Sequence, residues 1–279
     1  MQYKNILVYL DQGKSNPERV NTAMSIAKVH DAKLTGVYVN ALPAYNLLKR
    51  ISGGKSEAFM EQARVDAQAV VEEFEQQTEK EGVKSDSRII ECQEGLAPEK
   101  LSRMARIFDL SIMRQANPDQ PHASFITELS ERVMFSSGRP VLFMPYIGAH
   151  HIPCRRGLIA WDGSKAATRA IHDALPLLEM MDKVVILVVD PQSIEHYTDS
   201  KPGDALSVHL DAHGVNNEVL RVPKGETTTS TVILNELSNT GADILIMGGY
   251  GTPKFREVIL GGVTRTLVEC MTVPVFMSH

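Results

Sequence analysis

The feature that most constrains this chain is that it repeats itself. Asp109, Met113 and Pro140 recur as Asp243, Met247 and Pro274 at a constant offset of 134 residues, and Asp11 has its counterpart in Asp162. Strand, loop and helix lengths agree along with residue types, which a tandem duplication explains better than chance. Within each copy, short apolar runs alternate with longer stretches of helical periodicity. Runs of four to eight apolar residues suit strands buried on both faces. Repeated β-α units of this kind imply open parallel sheets with helices on both faces and right-handed crossovers. The expected fold class is therefore α/β, two tandem Rossmann-like domains of strand order 3-2-1-4-5, spanning residues 1–147 and 155–279.

In the first copy the pattern predicts strands at 6–10, 34–39, 88–92, 110–113 and 141–144. Ser15, Asn16, Pro17 and Glu18 supply cap candidates, an early helical proline and a capping-box glutamate for a helix running to about His30. Phe59, Ala63, Ala67, Val70, Val71 and Phe74 keep helical spacing in a long helix that Gly82 stops. Further helices are expected after Pro98 and near 126–135. After Pro145 a polar, aperiodic stretch reads as a linker. The second copy predicts strands at 158–161, 184–189, 218–222, 244–247 and 273–277, with helices near 167–178, 204–213 and 228–237.

Composition narrows the partners. With 29 basic against 34 acidic residues, the net charge of -5 gives no general attraction to nucleic acid or an anionic membrane, so neither partner is expected. Cys92, Cys154 and Cys270 are odd in number and widely spaced, which suits reduced thiols and argues against a structural zinc site. The apolar run at 6–10 is closed by Asp11 and is too short for a signal peptide, and no run reaches membrane-spanning length. A cytoplasmic protein is expected.

Ligands of open parallel sheets bind beyond the carboxyl ends of strands where the strand order reverses. In the second copy that point lies between its first and fourth strands. The first ends in Trp161-Asp162-Gly163-Ser164, and the fourth runs into Gly248, Gly249 and Gly251. Asp162 can accept hydrogen bonds from ribose hydroxyls, while glycine N–H groups and a helix start near Gly262 to Thr264 can hold phosphate oxygens. As a bland alternative, an aspartate after a strand also serves as a helix cap.

Gly248, Gly251 and Gly261 stand in the spacing glycine, two residues, glycine, nine residues, glycine. With the turn at Trp161 to Ser164 and the closing Val273-Pro274-Val275, the second copy resembles a universal stress protein domain over its whole length. The resemblance implies that Asp162 meets the ribose or base and that the strand ends at Val189 and Met247 meet adenine. Gly248, Gly251, Gly261, Gly262, Val263 and Thr264 would meet the phosphates. The implied ligand is an adenine nucleotide, ATP first, with AMP or ADP as alternatives and magnesium as its optional companion. Family members pair through their fifth strands, which here sets 141–144 beside 273–277 within one chain, and a homo-oligomer is expected. Gly262 departs from the pattern by standing where a hydroxyl residue belongs, a loss on the order of 1 kcal/mol for one hydrogen bond. In the first copy Arg114, Asn117, Thr127 and Glu128 replace the four glycines, so no nucleotide is expected there.

Other motifs have simpler readings. The Ser52 to Ser56 stretch resembles the tail of a Walker loop, but Lys49 stands where its leading glycine belongs, so a break before a helix is favoured. His209 and His213 are spaced one helical turn apart without an evident third ligand, and His150, His151 and Cys154 lie in the linker; no metal is assigned to either group. Lys254 and Arg256 are read as solvated. No base, nucleophile or metal cluster marks the crevice, so no catalytic residue is assigned and any hydrolysis would be slow. The function expected is nucleotide binding in stress response or signalling. The rivals are an interaction protein of the same fold that binds no nucleotide, and a weak ATPase.

Overall fold

A computed structural model describes residues 2–43, 56–148, 154–193, 201–249 and 262–279. They fall into two compact units, Gln2–Arg139 and Pro140–His279. The strand at 141–144, assigned to the first repeat by sequence, clusters with the second unit.

In the first unit β1 (Asn5–Leu10) leads to α1 (Asn16–His30), β2 (Lys33–Leu42), α2 (Ser56–Lys80), β3 (Ser85–Gln93), α3 (Ala97–Ala105), β4 (Leu110–Arg114) and α4 (Ala123–Ser136). The strands lie parallel in the order β3-β2-β1-β4. Five consecutive residues of β1 and all five of β4 are buried. Because successive side chains point to opposite faces, such runs mean that both faces of the sheet are covered.

The second unit opens with β5 (Val141–Met144) and continues through β6 (Arg156–Ala160), α5 (Lys165–Leu178), β7 (Lys183–Val189), α6 (Asp204–Ala212), β8 (Asn217–Val222), α7 (Thr229–Thr240), β9 (Ile244–Gly248), α8 (Gly262–Cys270) and β10 (Val275–Ser278). Its order is β5-β10-β9-β6-β7-β8, so the repeat's own five strands stand as 3-2-1-4-5. β5 alone runs antiparallel, with Leu142 opposite Phe276 and Phe143 opposite Val275. This ladder extends the sheet by one strand and buries both phenylalanines.

The recurring aspartates have a structural cause. Asp109 Oδ2 accepts the N–H groups of Lys4 and Asn5 at 2.7 and 2.9 Å, while Asp243 Oδ2 accepts those of Arg155 and Arg156, both at 2.9 Å. Each carboxylate thus satisfies the N–H groups where the first strand of its repeat begins and sets the register of the fourth strand beside it.

One local expectation fails. Ser15 takes a helical conformation and makes no side-chain cap bond. Asn16 Oδ1 instead accepts from the N–H of Asp11 and from Arg19 Nη2, so the start of α1 is tied to the end of β1. In the second unit Ser164 and Thr228 do cap, accepting from the N–H groups of Ala167 and Thr231.

Candidate functional site

In the second unit β6 has β7 on one side and β9 on the other, with Ala160 opposite Met247. Chain direction after these neighbours diverges, and the carboxyl ends of β6 and β9 frame a crevice of the kind open α/β sheets use for ligands. Asp162 lies at the β6 end and is exposed. Its Oδ1 accepts the Ser164 N–H at 2.9 Å, closing a turn in which Gly163 takes a φ of +74°, and Ser164 then caps α5. Asp162 therefore shapes the turn with one oxygen.

Met247 is buried and Val189 half-buried at the ends of β9 and β7. Gly248 ends β9 where no side chain fits: an added Cβ would sit 2.4 Å from the Ala167 nitrogen and 2.6 Å from the Ala166 carbonyl carbon. Packing against the first turn of α5 thus demands glycine here, apart from any ligand. The Gly249 N–H donates to the Ser278 carbonyl at 2.8 Å, and its own carbonyl meets His279 Nδ1 at 3.0 Å, so this peptide is committed to the closing strand.

At the start of α8, Gly262 and Val263 are exposed while Thr264 is 4% exposed. A Cβ at Gly262 would meet none of the described residues within 4 Å. The first N–H groups of a helix have no intrahelical acceptor and carry a positive partial charge, which suits an anion. These residues fit an adenine nucleotide: an exposed carboxylate for hydroxyls, apolar strand ends for a base and a helix start for phosphate. Gly251, Gly261, Lys254 and Arg256 lie outside the described residues, as do residues 52–55, His150 and His151.

The equivalent place in the first unit is built differently. Arg114, at the position of Gly248, extends Nη1 to Asp11 Oδ2 at 3.1 Å, and Arg19 Nη2 reaches the same oxygen at 3.0 Å. Asp11 Oδ1 accepts the Gly13 N–H at 2.6 Å, the same turn that Asp162 makes. Burial works to raise the Asp11 carboxyl, but Arg19, Arg114 and the Gly13 N–H outweigh it and hold it below its ordinary value. Helix α1 begins five residues after Asp11, whereas α5 begins three after Asp162. The later start goes with the larger residue at 114.

Sequence reasoning noticed Arg114 only as a lost glycine and passed over Arg19. Arg19 shares the buried face of α1 with Asn16, Val20 and Ala23, and a charge on that face is the signal of a buried partner. A third histidine also emerges in the second unit. His172 of α5 stacks 5.0 Å from His209, whose ring lies 4.7 Å from His213. Partial burial, then the two neighbouring imidazoles, push His209 below its ordinary value. Among the described residues no group of three or more His, Cys, Asp or Glu is arranged to hold a metal, and no helix is long and apolar enough to cross a membrane.

Residues 154–279 match the model of the universal stress protein family. The second unit belongs to that family. No curated protein matches the chain in sequence. Among solved structures, a universal stress protein from Archaeoglobus fulgidus DSM 4304 superposes with a TM-score of 0.74 at 19% identity, covering 98% of this chain and 94% of that one. A protein of Pseudomonas aeruginosa UCBPP-PA14 gives 0.62 at 13% identity, covering 98% and 92%. A functionally unknown protein of Pseudomonas aeruginosa PAO1 gives 0.59 at 12% identity over the same shares. At these identities the likeness shows the fold, a mostly parallel open sheet with helices, along the universal stress protein pattern.

Proposed function

We propose that the second unit of this universal stress protein binds an adenine nucleotide, with ATP as the first candidate and AMP or ADP as alternatives. The observation that carries this is the exposed Asp162 carboxylate at the end of β6, beside the end of β9 at a strand-order reversal. In this reading Asp162 meets the ribose, and the ends of β7 and β9 at Val189 and Met247 flank adenine. Gly248, Gly251, Gly261, Gly262, Val263 and Thr264 surround the phosphates, with magnesium accompanying them where three are present. Since the Gly249 N–H is spent on Ser278, phosphate donors come from the start of α8 and from residues 250–261.

The bound state would serve a stress response or signal in the cytoplasm, where Cys92, Cys154 and Cys270, which form no disulfide among the described residues, would remain reduced. The antiparallel β5–β10 ladder supports a pairing of the two repeats through their fifth strands. A second reading has its own observation: packing against α5 alone accounts for Gly248, so the glycine can persist in a protein that binds no nucleotide.

Calorimetric titration of ATP and AMP into the full chain and into Asp162→Ala separates the two. Binding by the wild type, weakened about tenfold or more in Asp162→Ala, supports the nucleotide site, since a hydrogen bond to a charged group is worth roughly 1.5–3 kcal/mol. Absence of binding to the wild type at millimolar concentration leaves the interaction protein. Rapid magnesium-dependent turnover would make the chain an ATPase.

A further inference from the structure

The first unit holds a cavity of about 660 Å³ at the carboxyl ends of β1 and β4, the place where its lost glycines exclude a phosphate cradle. Its walls are of two kinds. Asp11, Asn40, Arg114, Asn117 and Gln120 make a polar side, and Tyr9, Tyr38, Phe59 and Phe125 an aromatic one.

The polar side carries unbalanced charge. Arg19 and Arg114 share the single Asp11 carboxylate, and both guanidinium groups are buried, at 1% and 7% exposure. Lys14 and Glu94 also line the cavity. Those two are exposed and opposite in sign, so the surplus lies in the buried cluster, where two guanidinium groups against one carboxylate leave one positive charge over. A buried surplus is costly unless an anion meets it.

Donors for that anion are in place. Arg114 Nε, Nη1 and Nη2 each have one acceptor, the Gln115 carbonyl, Asp11 Oδ2 and Gln120 Oε1 at 3.3, 3.1 and 3.2 Å. Of the five guanidinium N–H groups, two are left over among the described residues. The Asn40 amide is 6% exposed, and its Nδ2 has no partner in hydrogen-bond geometry among the described residues. Asn40 also helps to keep Glu91 ionised, but that carboxylate is held first by Arg64 through bonds of 2.7 and 2.9 Å.

We infer that this cavity binds a small organic monoanion, a carboxylate on an aromatic body, with Arg114 as the partner of the anionic group and the aromatic wall around the body. A single surplus charge matches one negative charge and is poorly matched to a triphosphate. The site is independent of the nucleotide proposed for the second unit.

The probe is phenylacetate, and its neutral isostere phenylacetamide is the control, each titrated into the full chain by saturation-transfer difference NMR. Phenylacetate is expected to bind at least about tenfold more tightly than the amide. Arg114→Gln is expected to bring the two within about threefold. Asn117→Asp keeps the acceptor that takes the Asp119 N–H and adds negative charge to the cavity wall, so it should weaken phenylacetate about fivefold or more while leaving the amide unchanged. Gly262→Glu, in the other unit, should change neither ligand. Equal affinity for the two probes, absence of phenylacetate binding at tens of millimolar, or binding unaltered by Asn117→Asp would each overturn the proposal, even if Arg114→Gln failed to fold.

Discussion

Arg114 reaches Asp11 across 103 residues of sequence, Nη1 to Oδ2 at 3.1 Å, from the strand position that Gly248 holds in the second unit. One repeat closes its crevice floor with an ion pair, and the other leaves backbone there. The same duplicated scaffold therefore presents two different chemistries, a fixed guanidinium in one unit and a helix start with an exposed carboxylate in the other.

Removing the Asp11 charge strands two buried guanidinium groups. Asp11→Asn is expected to destabilise the first unit by about 3–5 kcal/mol, measured by urea denaturation near neutral pH. Acid titration of stability should show the same interaction. The folded carboxyl lies below its ordinary value of 3.8, so its contribution is complete above that value and is lost as pH falls through it toward the lower folded value. In Asp11→Asn that part of the acid limb should disappear; an unchanged limb would mean that the pair contributes nothing.

The two glycines of the second unit should answer differently to alanine. Gly248→Ala drives a Cβ into the backbone of α5 and is expected to cost about 2 kcal/mol or more, read as a lower midpoint in chemical denaturation. Gly262→Ala meets no described residue and should stay within about 0.5 kcal/mol of the wild type. Equal effects at the two positions would contradict the packing described for β9.

Phe143 precedes the second repeat in sequence yet belongs to the second unit through its ladder with Val275. Phe143→Ala is expected to cost about 3–5 kcal/mol and to release amide hydrogen exchange in β10 and β9. Loss of protection confined to residues before Arg139 would place the strand with the wrong neighbours.

Restoring a hydroxyl should help the nucleotide. Gly262→Ser adds a donor at an exposed helix start with no steric obstacle among the described residues, and ATP is expected to bind about fivefold more tightly, equivalent to about 1 kcal/mol. AMP, with fewer phosphate oxygens to meet that donor, should gain less. Calorimetry with both ligands distinguishes the cases.

Much of the fold was legible because its strands are buried on both faces and declare themselves as short apolar runs between helical stretches. The observed β9 lies within one residue of its expected bounds, and the expected order of the second repeat is the one found. Edge strands were less legible. β3 begins at Ser85, three residues before the expected start, because its early residues are polar and form no apolar run. Caps depend on conformations that residue type does not dictate, which is why Ser15 fails where Ser164 succeeds. The Asp11–Arg19–Arg114 cluster was invisible for another reason: three side chains meet there from β1, α1 and β4, and no local spacing encodes their contact. The meeting of His172 with His209 is of the same kind.

Trp161 is the single tryptophan of the chain and directly precedes Asp162 at the end of β6, so its emission can report on the crevice. ATP titrated into the full chain should change that emission saturably. In Gly262→Glu, which sets a negative charge at the start of α8 where an added Cβ meets no described residue, the curve should shift at least about tenfold toward higher ATP. Superimposable curves for the two proteins, or no saturable change at millimolar ATP, would contradict a nucleotide site in the second unit.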